Sequence, residues 1–287
     1  MNFKYIDTHT HLNLSAFNED REEVLARTLA ERVAHINVGT KETTSKKAVE
    51  IAESNEGSWA IVGLHPIQTT PDFHDEEVVG EGGQPFTSKG EVFNKDFYRE
   101  LAKSEKVVGI GECGFDYFHT TPESYAVQEE AFIAQIELAN ELNLPLMIHT
   151  RDPKAGGVSP TGRSAYEDVH AILKQYAKTA GNIHFYAGTY EQAKKFFELG
   201  FKVSFTGVIT FAKVYEEIVR SVPLDLMHAE TDSPYVAPVP YRGKRCEPMY
   251  VQEVVNKIAE IKALPVEEVE GQLLKNAERL YGIKLYK

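Results

Sequence analysis

The stretch KYIDTHTHL, residues 4–12, places a short strand-like run directly before two histidines. Lys4–Thr8 contains Tyr, Ile and Thr, which are residue types that favour a strand. After a turn, Glu19–Arg32 carries the apolar periodicity of an amphipathic helix. The opening of the chain therefore predicts one βα unit whose strand ends beside His9 and His11.

The order of a strand followed by a helix recurs along the whole sequence. The predicted strands are Lys4–Thr8, Ala34–Val38, Trp59–Val62, Val107–Ile110, Leu146–His149, Asn182–Phe185, Lys202–Phe205 and Leu226–Ala229. The predicted helices are Glu19–Arg32, Glu42–Ser54, Asp96–Ser104, Ser124–Leu142, Ala165–Lys178, Tyr190–Leu199, Ala212–Val219 and Pro248–Ala263. Eight such units in order are typical of a parallel sheet that closes into a barrel.

A further helix is predicted at the C-terminal end of the chain, over Val266–Tyr281. Pro265 and the glutamates that follow it are residue types suited to a helix N-terminus, and we expect this helix to pack on the outside of the barrel. No linker and no shift in composition separates the units. The sequence therefore predicts an α/β protein in which residues 1–287 form one domain, a single (β/α)8 TIM barrel with an additional C-terminal helix.

Two segments interrupt the repeat. Pro71–Asn94 contains GEGGQP, and Asp152–Arg163 lies around KAGGVSPTG. Both are rich in Gly and Pro and lack periodicity, so they are predicted to be long loops. Loops of this length in a compact domain are usually functional lids or disordered segments.

The charge balance limits the kinds of partner. The chain has 43 acidic and 31 basic residues, which gives a net charge of −12. This charge opposes broad electrostatic binding to a phosphate backbone. It does not exclude a phosphate ester as substrate, because a local metal centre can reverse the field inside one pocket.

The start of the sequence and its cysteines predict a cytoplasmic location. MNFKYIDTHTH has neither a basic region nor an uninterrupted apolar run, and no later stretch approaches a membrane span. Cys113 and Cys246 are too few and too far apart for a redox pair or a zinc knuckle, so buried reduced thiols are expected. We expect no membrane association, and nothing implies an obligate protein partner.

Residue types that bind metals recur where the predicted strands end. They are His9, His11, His65, Glu112, His149, His184 and Asp232. Active sites of barrel enzymes lie at the rim formed by the C-terminal ends of the strands. Six of these residues, all except His65, are predicted to hold metal.

Each of these signals is weak when it is taken alone. His9 and His11 are two residues apart in an extended stretch and can reach one ion, but solvated or core histidines at that spacing are common. A single glutamate such as Glu112 is usually a salt-bridge partner, although a carboxylate can bridge two cations. The convergence of residues distant in sequence on one rim favours a metal site.

The remaining histidines do not fit the strand-end pattern and are predicted to be core or surface groups. They are His35, His74, His119, His170 and His228. His228 is the closest to the pattern, but it precedes Asp232 by four residues and is expected to lie deeper in the barrel wall.

The ligand types indicate which ions would bind. Four imidazoles and two carboxylates suit zinc, manganese, iron, cobalt or nickel, whereas magnesium and calcium sites use mostly oxygen. We predict one or two divalent ions and keep magnesium as a further candidate. Two dications with two carboxylates leave a net charge of about +2, which would attract an anionic substrate.

The motifs around these residues resemble one family along nearly the whole chain. The chain is similar to the TatD-like metal-dependent hydrolases, a deoxyribonuclease family within the wider amidohydrolase-like barrels. The matching segments are DTHTHL from Asp7, GLHP from Gly63, GECGFDY from Gly111, IHTRD from Ile148, HFYAG from His184, SFTG from Ser204, ETDSPYVAP from Glu230 and YRGKRCEP from Tyr241.

The resemblance implies hydrolysis of phosphodiester bonds, typically at DNA ends, with DNA ends or short oligonucleotides as substrate. It implies one metal ion on His9, His11 and Asp232, a second on His149 and His184, and Glu112 bridging the two. Asp232 and Glu112 are the implied catalytic residues, with Asp232 orienting or deprotonating the attacking water. His65 resembles a substrate contact or a group supporting the site, and Arg151, two residues beyond His149, is a candidate contact to a phosphate oxygen.

The chain departs from the family pattern at Cys246, where the family usually has Asn, and in the two loops Pro71–Asn94 and Asp152–Arg163, which are longer than usual. These departures bear on the substrate more than on the chemistry. Two alternatives stay open: an amidase, deacylase or lactonase with the same site, or a metal-stabilised binding protein without turnover.

Overall fold

The computed structural model describes residues 2–71, 73–74, 86–87, 89–157 and 159–286, and its centre is an eight-stranded parallel sheet. The strands of this sheet, in spatial order, are β1 Tyr5–Thr10, β2 Val33–Val38, β3 Ser58–Val62, β6 Val107–Asp116, β7 Leu146–Arg151, β8 Gly181–Ile183, β9 Lys202–Phe205 and β10 Met227–Ala229. A separate two-stranded antiparallel pair consists of β4 Phe73–His74 and β5 Phe86–Thr87.

The two edges of the large sheet meet just beyond the end of β10. Thr10 and Ser233 form a parallel bridge. The backbone N–H of Asp232 donates to the carbonyl of His9, and that of His11 donates to the carbonyl of Ser233. The sheet therefore curves into a (β/α)8 barrel, as the sequence predicts.

Helices surround the barrel because their apolar faces pack against the outward-facing strand residues. They are α1 Arg21–Ala30, α2 Glu42–Ser54, α3 Lys95–Leu101, α4 Tyr125–Leu142, α5 Ala165–Tyr176, α6 Tyr190–Glu198, α7 Glu216–Ser221, α8 Val251–Lys262 and α9 Val266–Tyr281. Phe115 on β6 and Phe132 on α4 make an edge-to-face contact with ring centroids 5.6 Å apart. Both rings are fully buried, so this contact belongs to the layer between sheet and helices.

The C-terminal helix α9 does more than pack on the outside of the barrel. It contacts β1 and β10. Its residues Leu274 and Tyr281 belong to the same hydrophobic cluster as Ile36 and Met147. Met147 precedes His149 by two residues and so shares its inward face. The helix therefore extends the core of the barrel interior.

Strand β6 is longer than the predicted Val107–Ile110 and reaches Asp116. Glycines lower strand propensity, which explains the underprediction, but here they allow close pairing. A Cβ at Gly111 would overlap the carbonyl of Met147, and one at Gly114 would overlap the carbonyl of His149. Both glycines also have positive φ, +147° and +137°. As a result, Glu112 lies within the strand and not after it.

The segments predicted as long loops are only partly described. In Pro71–Asn94, the short strands β4 and β5 pair with each other, while residues 72, 75–85 and 88 lie outside the described residues. The described part of Asp152–Arg163 forms turns without a helix or strand. Among the residues that the structure describes, no helix has the length and apolarity needed to cross a membrane.

Candidate metal centre

Glu112 lies at the middle of a buried group of imidazoles at the C-terminal end of the barrel. Its Oε2 lies 3.3 Å from Nε2 of His9 and 3.8 Å from Nε2 of His11. Its Oε1 lies 2.7 Å from Nε2 of His184 and 2.9 Å from Nδ1 of His149. The two oxygens of one carboxylate thus face two different histidine pairs.

The first pair lies at the end of β1. His9 belongs to the strand and His11 directly follows it, and their Nε2 atoms are 3.1 Å apart. Nδ1 of His11 lies 2.8 Å from the carbonyl oxygen of Val38. A carbonyl oxygen only accepts hydrogen bonds, so Nδ1 of His11 carries the hydrogen and Nε2 of the neutral ring has the lone pair.

Asp232 joins this pair from the segment after β10. Its backbone has a left-handed φ of +56°, held by the bond from its N–H to His9 and by the bond that Tyr235 N–H donates to its carbonyl. This conformation brings Oδ1 to 3.3 Å from Nε2 of His11 and 3.7 Å from Nε2 of His9. The carboxylate remains partly exposed to the cavity, with 13% of the side chain accessible.

The second pair is His149 on β7 and His184 after β8. Nε2 of His184 lies 3.4 Å from Nδ1 of His149. The ring of His184 stacks on that of His9 with centroids 3.9 Å apart, which brings the two pairs together. On the other side of the His184 ring, Oε1 of the buried Glu230 lies 3.4 Å from Nδ1 of His184. The same oxygen accepts a hydrogen bond from the backbone N–H of Phe185.

Asp116 is a buried part of the site that the sequence did not single out. Its Oδ2 lies 2.9 Å from Nε2 of His149 and 2.9 Å from Nδ1 of His119. The available signal was the motif GECGFDY, in which Asp116 follows Glu112 by four residues in one strand and so shares its face. His119, predicted to be a core or surface group, lines the cavity beside these ligands.

The carboxylates and imidazoles of the site shift one another's pKa values. Burial raises the pKa of Glu112, but His184 and the other nearby imidazoles outweigh burial and hold this pKa well below its usual range. Burial likewise raises the pKa of Asp232, but the neighbouring imidazoles of His11, His9 and His184 together outweigh burial, so this pKa is lowered. For His184, burial lowers the pKa, but Glu112 and Glu230 raise it well above its ordinary value. The carboxylates thus favour positive charge between these groups.

The donor set fits a divalent metal ion. The lone pair on Nε2 of His11 points toward a carboxylate oxygen and toward another Nε2, an arrangement that a cation between these atoms stabilises. Two nitrogens at 2.0–2.1 Å from one tetrahedral ion lie about 3.3 Å apart, close to the separation between His9 and His11. Within the part of the chain that the structure describes, three groups of residues each bring their ligand atoms within 4.8 Å of one another: His9, His11 and Glu112; His9, His184 and Glu230; and His65, Glu112 and His149.

His65, predicted as a substrate contact or supporting group, faces Glu112 from the turn after β3. Its Nδ1 accepts the backbone N–H of Ile67, so Nε2 carries the hydrogen of the neutral ring. That atom lies 3.3 Å from Oε1 of Glu112. In this tautomer His65 offers an N–H donor to the site and not a lone pair to a metal.

The predicted ligands His11, Glu112, His149, His184 and Asp232 line a cavity of about 710 Å³. Arg151, the predicted phosphate contact, lines the cavity, with its guanidinium carbon 4.2 Å from the ring centroid of Phe118. Lys41, which sequence reasoning missed, lines it as well. Two positive side chains therefore border a cavity in an acidic protein.

The basic segment Arg242–Arg245 is not among the described residues that line this cavity. Arg245 instead pairs with Asp20 at 2.6 Å. Arg242 lies over the ring of Phe211, 3.9 Å from its centroid. The departure at Cys246 is fully buried next to this segment.

A (β/α)8 barrel with imidazoles and carboxylates grouped at the C-terminal ends of its strands defines the class of metal-dependent barrel hydrolases. Comparison with known proteins agrees with that class. The chain is 38% identical over 282 residues to the uncharacterized metal-dependent hydrolase YabD of Bacillus subtilis (strain 168), covering 96% of this chain and 98% of the relative. It is 32% identical over 286 residues to the uncharacterized metal-dependent hydrolase YcfH of Escherichia coli (strain K12), covering 97% and 96%.

A solved structure shares the fold along the whole chain. YJJV, a TatD homolog from Escherichia coli K12, superposes with a TM-score of 0.79 at 24% identity, covering 99% of this chain and 100% of that one. The model of the family described as TatD related DNase matches residues 6–282. The chain belongs to the TatD family of metal-dependent hydrolases.

Proposed function

We propose that this protein is a deoxyribonuclease that hydrolyses phosphodiester bonds at DNA ends. The observation that carries the proposal is the position of Glu112 between two histidine pairs, beneath a cavity bordered by Arg151 and Lys41. Two adjacent cation positions suit displacement at phosphorus, because attacking and leaving oxygens can each be stabilised. The family model's description as a DNase supports this choice of bond.

In the proposal, His9, His11 and Asp232 hold one ion, His149 and His184 hold the second, and Glu112 contacts both. The metal supplies Lewis-acid stabilisation of the negative charge that develops on the phosphoryl oxygens. The identity of the ion is part of the proposal: four imidazoles with two carboxylates suit zinc, manganese, iron, cobalt or nickel better than magnesium.

In the proposal, side chains around the ligand cluster transfer the proton of the attacking water and bind the phosphate. The partly exposed Asp232 can accept a hydrogen bond from the attacking water and take up its proton. His65 directs its Nε2 hydrogen toward Glu112. Arg151 can donate two parallel hydrogen bonds to a phosphate group, and its stacking on Phe118 limits its conformations before substrate binds.

The cavity suits a chain end. Its volume of about 710 Å³ is within the range of small-molecule sites, so a terminal nucleotide or short oligonucleotide fits more readily than the middle of a duplex. With a net charge of −12, the rest of the surface opposes binding along a long duplex.

The test is hydrolysis by protein reloaded with zinc, manganese, cobalt, nickel or magnesium. Substrates are end-labelled single-stranded DNA, linear duplex and covalently closed circular DNA, with an amide and a lactone panel alongside. We expect release of terminal nucleotides from the linear substrates and little action on the closed circle. Turnover of the amides or lactones without cleavage of DNA would replace the proposal with the alternative hydrolase.

Two arginines provide a matched pair for the phosphate contact. Arg151 and Arg242 both stack on a phenylalanine, but only Arg151 is among the described residues that line the cavity. We expect Arg151→Gln to raise KM for oligonucleotides about tenfold, in line with about 1.5 kcal/mol for a hydrogen bond to a charged group, and Arg242→Gln to leave KM within about twofold. Equal effects of both changes would remove Arg151 from the proposed contact.

A further inference from the structure

Asp116 is placed to control the orientation of one proposed ligand. It is fully buried at the end of β6. Its Oδ1 accepts the backbone N–H groups of Phe118 and His119 at 2.8 and 2.7 Å. Its Oδ2 faces two imidazoles, those of His149 and His119, each at 2.9 Å. Both oxygens are therefore engaged within the protein.

The backbone of Asp116 is held in place as well. Oε1 of the buried Gln128 accepts the N–H of Asp116 at 2.9 Å, and Nε2 of the same side chain lies 3.2 Å from the carbonyl of Asp116. Gln128 comes from helix α4, so the helix, the strand and the carboxylate form one connected unit. A carboxylate anchored in this way can hold a ring at a defined angle.

The hydrogen-bond roles around His149 follow from chemistry. An ionised carboxylate accepts hydrogen bonds and does not donate them. Nε2 of His149, facing Asp116, therefore carries a hydrogen, and Nδ1 of the neutral ring has the lone pair. Nδ1 is the atom that lies 2.9 Å from Oε1 of Glu112 and 3.4 Å from Nε2 of His184.

We propose that Asp116 is a positioning residue that selects the tautomer and angle of His149, so that Nδ1 is the metal-binding atom. This inference rests on the metal-binding part of the proposed function and is independent of the substrate. A carboxylate behind a ligand histidine typically changes metal affinity or activity by about 10- to 100-fold. An amide at position 116 could turn its NH₂ group toward His149, which would favour the opposite tautomer.

The experiment measures zinc affinity of the purified full-length chain by competition with a chromophoric chelator, without any DNA. Asp116→Asn is compared with Asp168→Asn, which makes the same change at another buried carboxylate. Asp168 accepts hydrogen bonds from Tyr117 and Thr161 and pairs with Arg163. We expect Asp116→Asn to lower the zinc affinity of one site by about 10- to 100-fold, as is typical for such partners. Asp168→Asn should leave the zinc affinity of every site within about threefold of wild type.

A spectroscopic measurement separates positioning from general destabilisation. In wild-type protein with ¹⁵N-labelled histidine and bound zinc, the His149 ring should show a protonated Nε2 and an unprotonated Nδ1. The His149→Gln spectrum assigns these signals. The opposite tautomer overturns the proposal, even where Asp116→Asn does not fold.

The outcomes distinguish this inference from the function proposed above. Equal zinc affinity of Asp116→Asn and wild type, or an equal loss in Asp168→Asn, overturns the positioning role while leaving the hydrolase intact. Wild-type protein that binds zinc with the expected tautomer but leaves every DNA substrate uncut supports the positioning role and rejects the deoxyribonuclease.

Discussion

His65 and Glu112 form a contact whose direction is determined by a backbone group: Nε2 of His65 lies 3.3 Å from Oε1 of Glu112, while its Nδ1 accepts the N–H of Ile67. Burial lowers the pKa of His65 to about 4 despite the neighbouring Glu112. The ring is therefore neutral near pH 7 and presents a hydrogen to the carboxylate that faces both histidine pairs.

This contact predicts that His65 supports turnover without holding metal. His65→Phe retains an aromatic ring but removes the donor, so we expect turnover to fall by about 10- to 100-fold, as for other groups that support a metal site. Metal content, measured by elemental analysis, should stay at the wild-type value. His149→Phe is the comparison and should lose bound metal; equal metal loss in both variants would make His65 a ligand.

The position of Asp232 predicts a severe effect of Asp232→Asn. The change keeps the shape but removes the charge beside His11 and the group proposed to take up the water proton, so turnover should fall by at least about 10²-fold. Glu230→Gln, which alters the acceptor of Phe185 N–H behind His184, should cost less, about 10- to 100-fold. Thermal midpoint, bound metal and rate are measured on the same preparations. A folded, metal-loaded Asp232→Asn protein with the wild-type rate would remove Asp232 from the mechanism.

Metal removal should affect both activity and stability. Dialysis against a strong chelator is expected to abolish hydrolysis, and added divalent metal should restore it. Because the ion binds the folded state, free metal at about 100 times Kd should raise the free energy of unfolding by about 2.7 kcal/mol, which calorimetry can detect. Full activity in protein verified as metal-free would contradict the metal dependence.

Two buried histidines away from the ligand cluster predict a loss of stability in acid. Burial, with a smaller contribution from Lys106, lowers the pKa of His35 from 6.5 to about 4. Burial and Lys202 lower that of His228 from 6.5 to about 3. Neither ring has a hydrogen-bond partner for its nitrogens within the described part of the chain.

The sign follows from the lowered pKa values. Above about pH 6.5 both rings are neutral in the folded and unfolded states, so stability is fully present there. As pH falls from 6.5 toward the pKa values of the folded protein, the unfolded chain gains protons that the folded chain does not. By about pH 5, each histidine lowers the free energy of unfolding by about 2 kcal/mol. Denaturant unfolding with chelator present measures the free energy of unfolding between about pH 5 and pH 6.5. This free energy should depend less on pH in the double variant His35→Leu and His228→Leu than in wild type. A slope equal to wild type would contradict the assignment.

The sequence predicted much of this site because the relevant signals are local. Strand and helix patterns depend on neighbouring residues, and the end of each parallel strand falls on one rim of a barrel. Once the repeat is recognised, His9, His149 and Asp232 are expected at the same rim. The structure brings all six predicted ligands there, within one connected cluster.

The sequence alone determined the barrel and the group of ligand-type side chains, whereas only the tertiary structure decided which atoms of these side chains face one another. The tautomers of His65 and His149 depend on a backbone N–H and on Asp116, which local patterns do not reveal. Arg151 and Arg242 have similar aromatic partners, but of the two only Arg151 is among the described residues that line the cavity. This difference depends on where their segments of the chain pack. Periodicity determines which face of an element a residue occupies, but hydrogen-bond direction and cavity access arise from contacts between residues far apart in the chain.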